Sequence, residues 1–102
     1  MKTLKLDKYG IMINQREVGD DIFSEIFDSL QRNDKLTIDF KNIRSMATFC
    51  AKQIFGKLYL MLTPNNFYQR IYLQNVNEDL KIIIQEGINN ALEEEEEKSV
   101  LT

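Results

Sequence analysis

The sequence predicts an α/β domain in which a small mixed sheet of about four strands carries three helices, in the order β-β-α-β-α-β-α. Three features of the chain predict it. Apolar residues recur at helical spacing in three stretches, strict alternation marks Lys35–Phe40, and turn-forming residues separate these stretches. Parallel strands in such a sheet need crossover connections, which the alternating order supplies. With 102 residues, the chain makes one domain whose thin core leaves no room for a separate catalytic module.

Lys2–Leu6 and Gly10–Ile13 read as short strands joined by a turn around Asp7-Lys8-Tyr9-Gly10, and so as a hairpin. Gly19-Asp20-Asp21 sets acidic, capping-competent residues ahead of Ile22, Phe23, Ile26, Phe27 and Leu30, which share a helical face ending near Arg32-Asn33-Asp34. In Lys35–Phe40, Leu36, Ile38 and Phe40 point one way and Thr37 and Asp39 the other, which places Asp39 on the solvated or ion-paired side. Ala47, Ala51, Ile54, Phe55, Leu58 and Leu62 build a second helix, stopped by Thr63-Pro64-Asn65-Asn66. Arg70–Gln74 reads as the last strand. Asn77, Glu78 and Asp79 open a third helix on Leu80, Ile83, Ile84, Ile88, Ala91 and Leu92, because a side-chain oxygen accepts a free backbone N–H there and acids favour the positive dipole end. Gly87 within it either permits close packing or weakens the helix by about 1 kcal/mol relative to alanine.

Composition excludes several function classes. The chain has no histidine, which removes the usual general base, nucleophile activator and commonest metal ligand together. Ser/His/Asp chemistry is excluded. The single cysteine, Cys50, forms neither an internal disulfide nor a cysteine-rich zinc site, and no metal or cofactor is expected. No apolar run is long enough to span a bilayer, and charge interrupts the apolar residues of Met1–Leu6, so a cytoplasmic protein is expected. The net charge of −3 is unevenly spread: residues 1–92 hold 12 Lys/Arg against 11 Asp/Glu, while Glu93–Glu97 with Lys98 contribute −4. A nearly neutral body without a basic stripe argues against nucleic acid as a partner. Residues 1–92 read as the single domain and 93–102 as an acidic tail whose glutamates are solvated or, alternatively, take a docking or metal-binding role.

Chemistry should concentrate where the central strand hands over to the second helix, because strand-end loops and helix N-termini present free N–H groups. There Arg44, Ser45, Met46, Thr48, Phe49, Lys52 and Gln53 are the candidate contacts. Ser45 or Thr48 either caps the helix or, at Thr48, carries a phosphate near exposed amides. Phe49 falls opposite Ala51 and Ile54 on a helical wheel, so it is a candidate exposed anchor, in a stripe with Gln53, Gly56 and Leu60. Cys50 reads as a buried, inert thiol or, near a helix N-terminus, as a sensor. Arg16, Arg44 and Arg70 could clamp an anion, and Glu17 with Asp39 could pair for acid–base work; surface ion pairing accounts for the same residues.

The run Asp39–Leu58, reading Asp-Phe-x-x-Ile-x-x-Met-x-Thr-x-x-Ala-x-x-Ile-Phe-Gly-x-Leu, resembles the strand-to-helix segment of STAS domains, the anti-sigma-factor-antagonist fold, and most of all its small uncharacterised STAS-like branch. Arg16-Glu17-Val18-Gly19, Phe55-Gly56-Lys57-Leu58 and Arg70–Asn77 agree with it in order along nearly the whole chain. In antagonists of this family, an Asp-Ser-Ser-Gly-like turn carries the serine that a partner kinase phosphorylates to block docking. On that resemblance Ala47 stands at the aspartate position and Thr48 at the phosphorylated serine, followed by Phe49 and Cys50; only the hydroxyl is kept.

The resemblance therefore implies a non-catalytic interaction domain, a partner-switching regulator. It would dock a kinase-like ATPase or an anti-sigma factor through the loop and helix around Met46–Gly56, with Thr48 as the candidate phosphorylation site. The alternative is a small-molecule or nucleotide-binding module using the same helix N-terminus, with Arg44 or Arg70 on the anion. A homo-oligomer through an exposed sheet edge or the Phe49 stripe is the third expectation.

Overall fold

Parallel pairing organises this chain. The computed structural model describes residues 2–101; Met1 and Thr102, the outer ends of the expected domain and tail, lie outside the described residues. Strand β1 (Lys2–Lys5) sends Leu4 into the core, and Leu6 follows it inward at the start of a 3-10 turn, Leu6–Tyr9. Gly10 closes that turn at φ +107°, where a side chain would be strained, and donates its N–H to the Asp7 carbonyl at 3.0 Å. β2 (Met12–Ile13) then lies parallel to β4 (Ser45–Met46), with Ile13 opposite Met46. The expected hairpin is thus corrected. A turn signal at Asp7–Gly10 suits a 3-10 turn as well as a hairpin loop, and the full burial of Ile13 is met by a parallel partner, Met46, and not by β1.

Helix α1 (Arg16–Arg32) begins before Gly19-Asp20-Asp21, so Gly19 sits inside it. The space explains why: a Cβ on Gly19 would stand 2.1 Å from Gln53 Oε1. β3 (Leu36–Asp39) is the central strand, paired in parallel with β1 (Leu4 opposite Ile38) and with β5, Ile71–Gln74 (Leu73 opposite Ile38). Leu36, Ile38 and Phe40 are buried as the alternation requires, and Phe40 meets Phe55 of the next helix with ring centroids 5.8 Å apart.

Residues 48–62 form one continuous helical rod, the middle helix, made of α2 (Thr48–Ala51), a π-helical turn (Lys52–Gly56) and α3 (Lys57–Leu62). Thr63 stops it at φ +72°, and Pro64 at once begins α4 (Pro64–Arg70). That helix is an addition to the expected order: proline ends one helix but suits the first turn of the next, where its missing N–H is not needed. α5 (Glu78–Leu101) opens as expected, with Asn77 Oδ1 accepting the Leu80 N–H at 2.8 Å, and it continues through Glu93–Glu97, whose side chains are exposed. Among the described residues, two parallel sheets therefore replace the single mixed sheet expected; β4 and α4 are the extra elements.

The middle helix and α5 cross where small residues allow it. A Cβ on Gly87 would stand 2.6 Å from the Ala51 carbonyl carbon and the Lys52 nitrogen, and one on Gly56 would stand 2.7 Å from Ala91 Cβ and 2.9 Å from the Gly87 oxygen. Close packing is thus the role of Gly87. Because its obstacles are backbone atoms, nothing flexible can give way. Helix propensity alone would make Gly87→Ala stabilising by about 1 kcal/mol. The crossing reverses the sign: urea unfolding of Gly87→Ala should show a loss of about 1–3 kcal/mol, since overpacking shifts both helices.

Candidate functional site

The β3-to-helix connection is held by backbone bonds before it reaches the helix. Ile43 N–H donates to the Phe40 carbonyl (2.9 Å), Arg44 N–H to Ile11 (2.8 Å) and Ala47 N–H to Ile13 (2.8 Å). Asn42 takes φ +71° and donates its side-chain amide to Asp7 Oδ2 at 3.0 Å, tying the loop to the 3-10 turn. The helix then starts on Ala47, which offers no side-chain cap, so neither Ser45 nor Thr48 serves as the N-cap.

This frame distributes the candidate residues unevenly. Phe49 projects outward, 42% exposed, with the Arg16 guanidinium 5.2 Å from its ring centroid. Thr48 is half-buried beside it. Lys52 and Gln53 follow one turn on, and with Phe49, Arg16, Lys57 and Leu60 they line one wall of a groove of about 530 Å³. The opposite wall comes from α5, through Ala91, Glu94, Glu95 and Lys98. Arg44 is exposed but opens onto a different cleft, with Asp7 and Asn42, and Ser45 is half-buried in β4. Met46 requires correction as a contact: at 3% exposure it points into the core, because its position in β4 faces inward beside Ile13. Gly56 leaves the proposed stripe for the same reason, being packed on Ala91 and Gly87.

Charge in the groove is paired across its walls by Lys52 and along the α5 wall by Lys98. Lys52 Nζ bonds Glu94 Oε2, and Lys98 lies 3.7 Å from both Glu94 and Glu95. The Lys52 hydrogen bond holds the Glu94 carboxyl below its ordinary range. Gln53 Nε2 donates to the Arg16 carbonyl at 2.9 Å and to Asp20 Oδ1, which locks the groove to α1; its Oε1 is buried without a partner among the described residues. Lys57 sits 4.4 Å from the Phe23 ring centroid. Sequence reasoning missed Lys57 and the pairing of the glutamate run with Lys52, since Lys52 and Glu94 are 42 positions apart and no local pattern links them.

Other polar candidates turn out to be internal ties. Arg70 donates to the carbonyls of Leu30 (2.6 Å), Asn33 (3.2 Å) and Asp34 (2.9 Å), so it caps α1 and is not free for an anion. Asp39 is 7% exposed, contrary to its expected solvated place, and takes hydrogen bonds from Asn75 Nδ2 (2.8 Å) and the Lys41 N–H (2.9 Å). Those bonds, Asn75 first, hold its carboxyl below the usual range against opposing burial. Cys50 is fully buried, its Sγ 3.6 Å from the Gln15 carbonyl, and burial pushes the thiol up. Among the described residues no cluster of His, Cys, Asp or Glu could hold a metal ion, and no helix is long and apolar enough to cross a membrane.

A family model, STAS-like domain of unknown function (DUF4325), matches residues 18–81. The chain belongs to this family. The resemblance carried by Asp39–Leu58 is therefore the right one, and the matched span of this STAS-like domain runs from α1 through β5 into α5. It includes Phe49, Lys52 and Gln53 and leaves Arg16, Glu94 and Lys98 outside. Neither the curated proteins nor the solved structures contain a match.

Asp39 ties stability to pH in one direction. Its depressed folded pKa contributes stability that is present above the unfolded value, about 3.9, and is lost as pH falls through the folded value. Asn75 and the Lys41 N–H both donate to Oδ1, so Asp39→Asn keeps an acceptor there but removes the charge that strengthens both bonds, and it should cost about 1–2 kcal/mol at neutral pH. Urea titrations at pH 7 and pH 3 should show the variant losing less stability on acidification than the native chain.

Proposed function

We propose that this STAS-like domain is a non-catalytic docking module that receives a protein partner, a kinase-like ATPase or an anti-sigma factor, on the face formed by Thr48, Phe49, Lys52 and Gln53. The exposure of Phe49 in the opening turn of a helix anchored by its crossing with α5 carries this reading. An aromatic ring held outward with a cation beside it makes a rigid apolar anchor with a charged neighbour, the composition of an interface hot spot. Lys52 and Arg16 supply charge selection around it.

The absence of catalytic equipment supports the same reading. The chain has no histidine, its thiol is buried and its most shielded carboxylate, Asp39, is tied to two donors. Tyr9 hydrogen-bonds Glu25, and burial with that contact pushes its hydroxyl far above the ordinary range.

Thr48 is the switch in this proposal. A phosphate there adds about 1.5 to 2 negative charges one turn from Lys52, where it competes with Glu94 for the ammonium and alters the face that the partner reads. Proteins retained by immobilised native domain should be lost on Phe49→Asp and weakened on Thr48→Glu, each with an unfolding midpoint close to native. Full retention by Phe49→Asp would remove this face as the docking site. A nucleotide panel should leave the thermal midpoint unmoved, since a ligand that binds the folded state raises it.

A further inference from the structure

The three-stranded sheet ends in two unlike edges. β1 carries Lys2 and Lys5, both exposed, and lysines along an edge repel a second copy of themselves. β5, Ile71-Tyr72-Leu73-Gln74, carries no charge, and among the described residues no strand lies on its outer side. Its backbone orientation can be read from one bond: the Gln74 carbonyl accepts the Phe40 N–H at 2.9 Å, so Gln74 and, by alternation, Tyr72 face β3. Leu73 therefore turns both its N–H and its carbonyl outward.

We propose that two copies of this chain pair antiparallel through β5, across a two-fold axis at Leu73, joining their three-stranded sheets into one. The register is self-complementary: Leu73 of each copy exchanges both backbone bonds with Leu73 of the other, and Tyr72 falls opposite Gln74, so no like charges meet. The side chains favour the same occupant. Leu73, 36% exposed, shares the core side of the sheet with Ile38 and stands at the lip of a largely apolar groove of about 560 Å³ walled by Phe67, Tyr68, Val76, Ile84 and Ile88, with Lys81, Asn75 and Gln85 its polar lining. Pairing sets Leu73 beside its counterpart and closes the two grooves against each other, covering Tyr68, which is 61% exposed in the single chain. This surface is separate from the Phe49 face and does not depend on it.

Sedimentation equilibrium of the native chain should show a dimer that dissociates on dilution. Leu73→Lys places like charges opposite each other at the axis and should raise the dissociation constant at least about tenfold, with an unchanged circular dichroism spectrum. In an antiparallel hydrogen-bonded pair the opposed Cα atoms lie about 5.5 Å apart, within disulfide reach, so Leu73→Cys should cross-link on mild oxidation. Thr3→Cys on the β1 edge should not, and buried Cys50 contributes no background. A native chain that stays monomeric to hundreds of micromolar would overturn the pairing; so would Leu73→Lys leaving dimerisation intact, or equal cross-linking from Thr3→Cys and Leu73→Cys.

Discussion

The closeness of the middle helix to α5 is the constraint on which the rest of the molecule depends. At Gly56, Gly87, Ala51 and Ala91 the two backbones come near enough that one added methyl group meets main-chain atoms at 2.6–2.9 Å. The π-helical turn at Lys52–Gly56 lies in this contact, and the extra residue it takes into a single turn resets the rotation of everything before it. Phe49 owes its direction to that rotation, and Lys52 and Gln53 lie within the turn itself. The groove between the helices opens just beyond the crossing, so the interaction that fixes the helix also sets the distance from Lys52 to Glu94.

Polar residues here work mostly inside the fold. Arg70 gathers three carbonyls at the end of α1, and Asp39 joins the loop after β3 to the turn after β5 through Lys41 and Asn75. Both look like free charges in one dimension, because neither shares a local pattern with its partners. Buried polar groups must be satisfied, and a 102-residue domain has few layers in which to hide them. A charged side chain next to a strand end is thus recruited as a bracket, which removes it from the pool available to a ligand.

Periodicity exposes α1, β3 and the Asn77 start of α5, since each depends on side chains within a few positions of one another. The outward turn of Phe49 is legible for the same reason, being set against Ala51 and Ile54 on one helix. Met46 misleads because a two-residue strand has too little alternation to show which side faces in. The parallel pairing of β2 with β4, the α5 wall of the groove and the bonds of Arg70 join residues more than 30 positions apart, and local pattern carries no trace of them.

The all-parallel topology has a kinetic consequence. Lys2 pairs with Leu36, Leu36 with Ile71, and Met12 with Ser45, so no two consecutive strands can zip together as a local nucleus. Each ladder must wait for a loop of 30 or more residues to close, a cost in chain entropy that is met before any sheet bond returns it. A chain leaving the ribosome would hold its first strand unpartnered until residue 36 has emerged. Its sheet would stay incomplete until residue 74, with α1 and the middle helix the long elements able to form in the meantime.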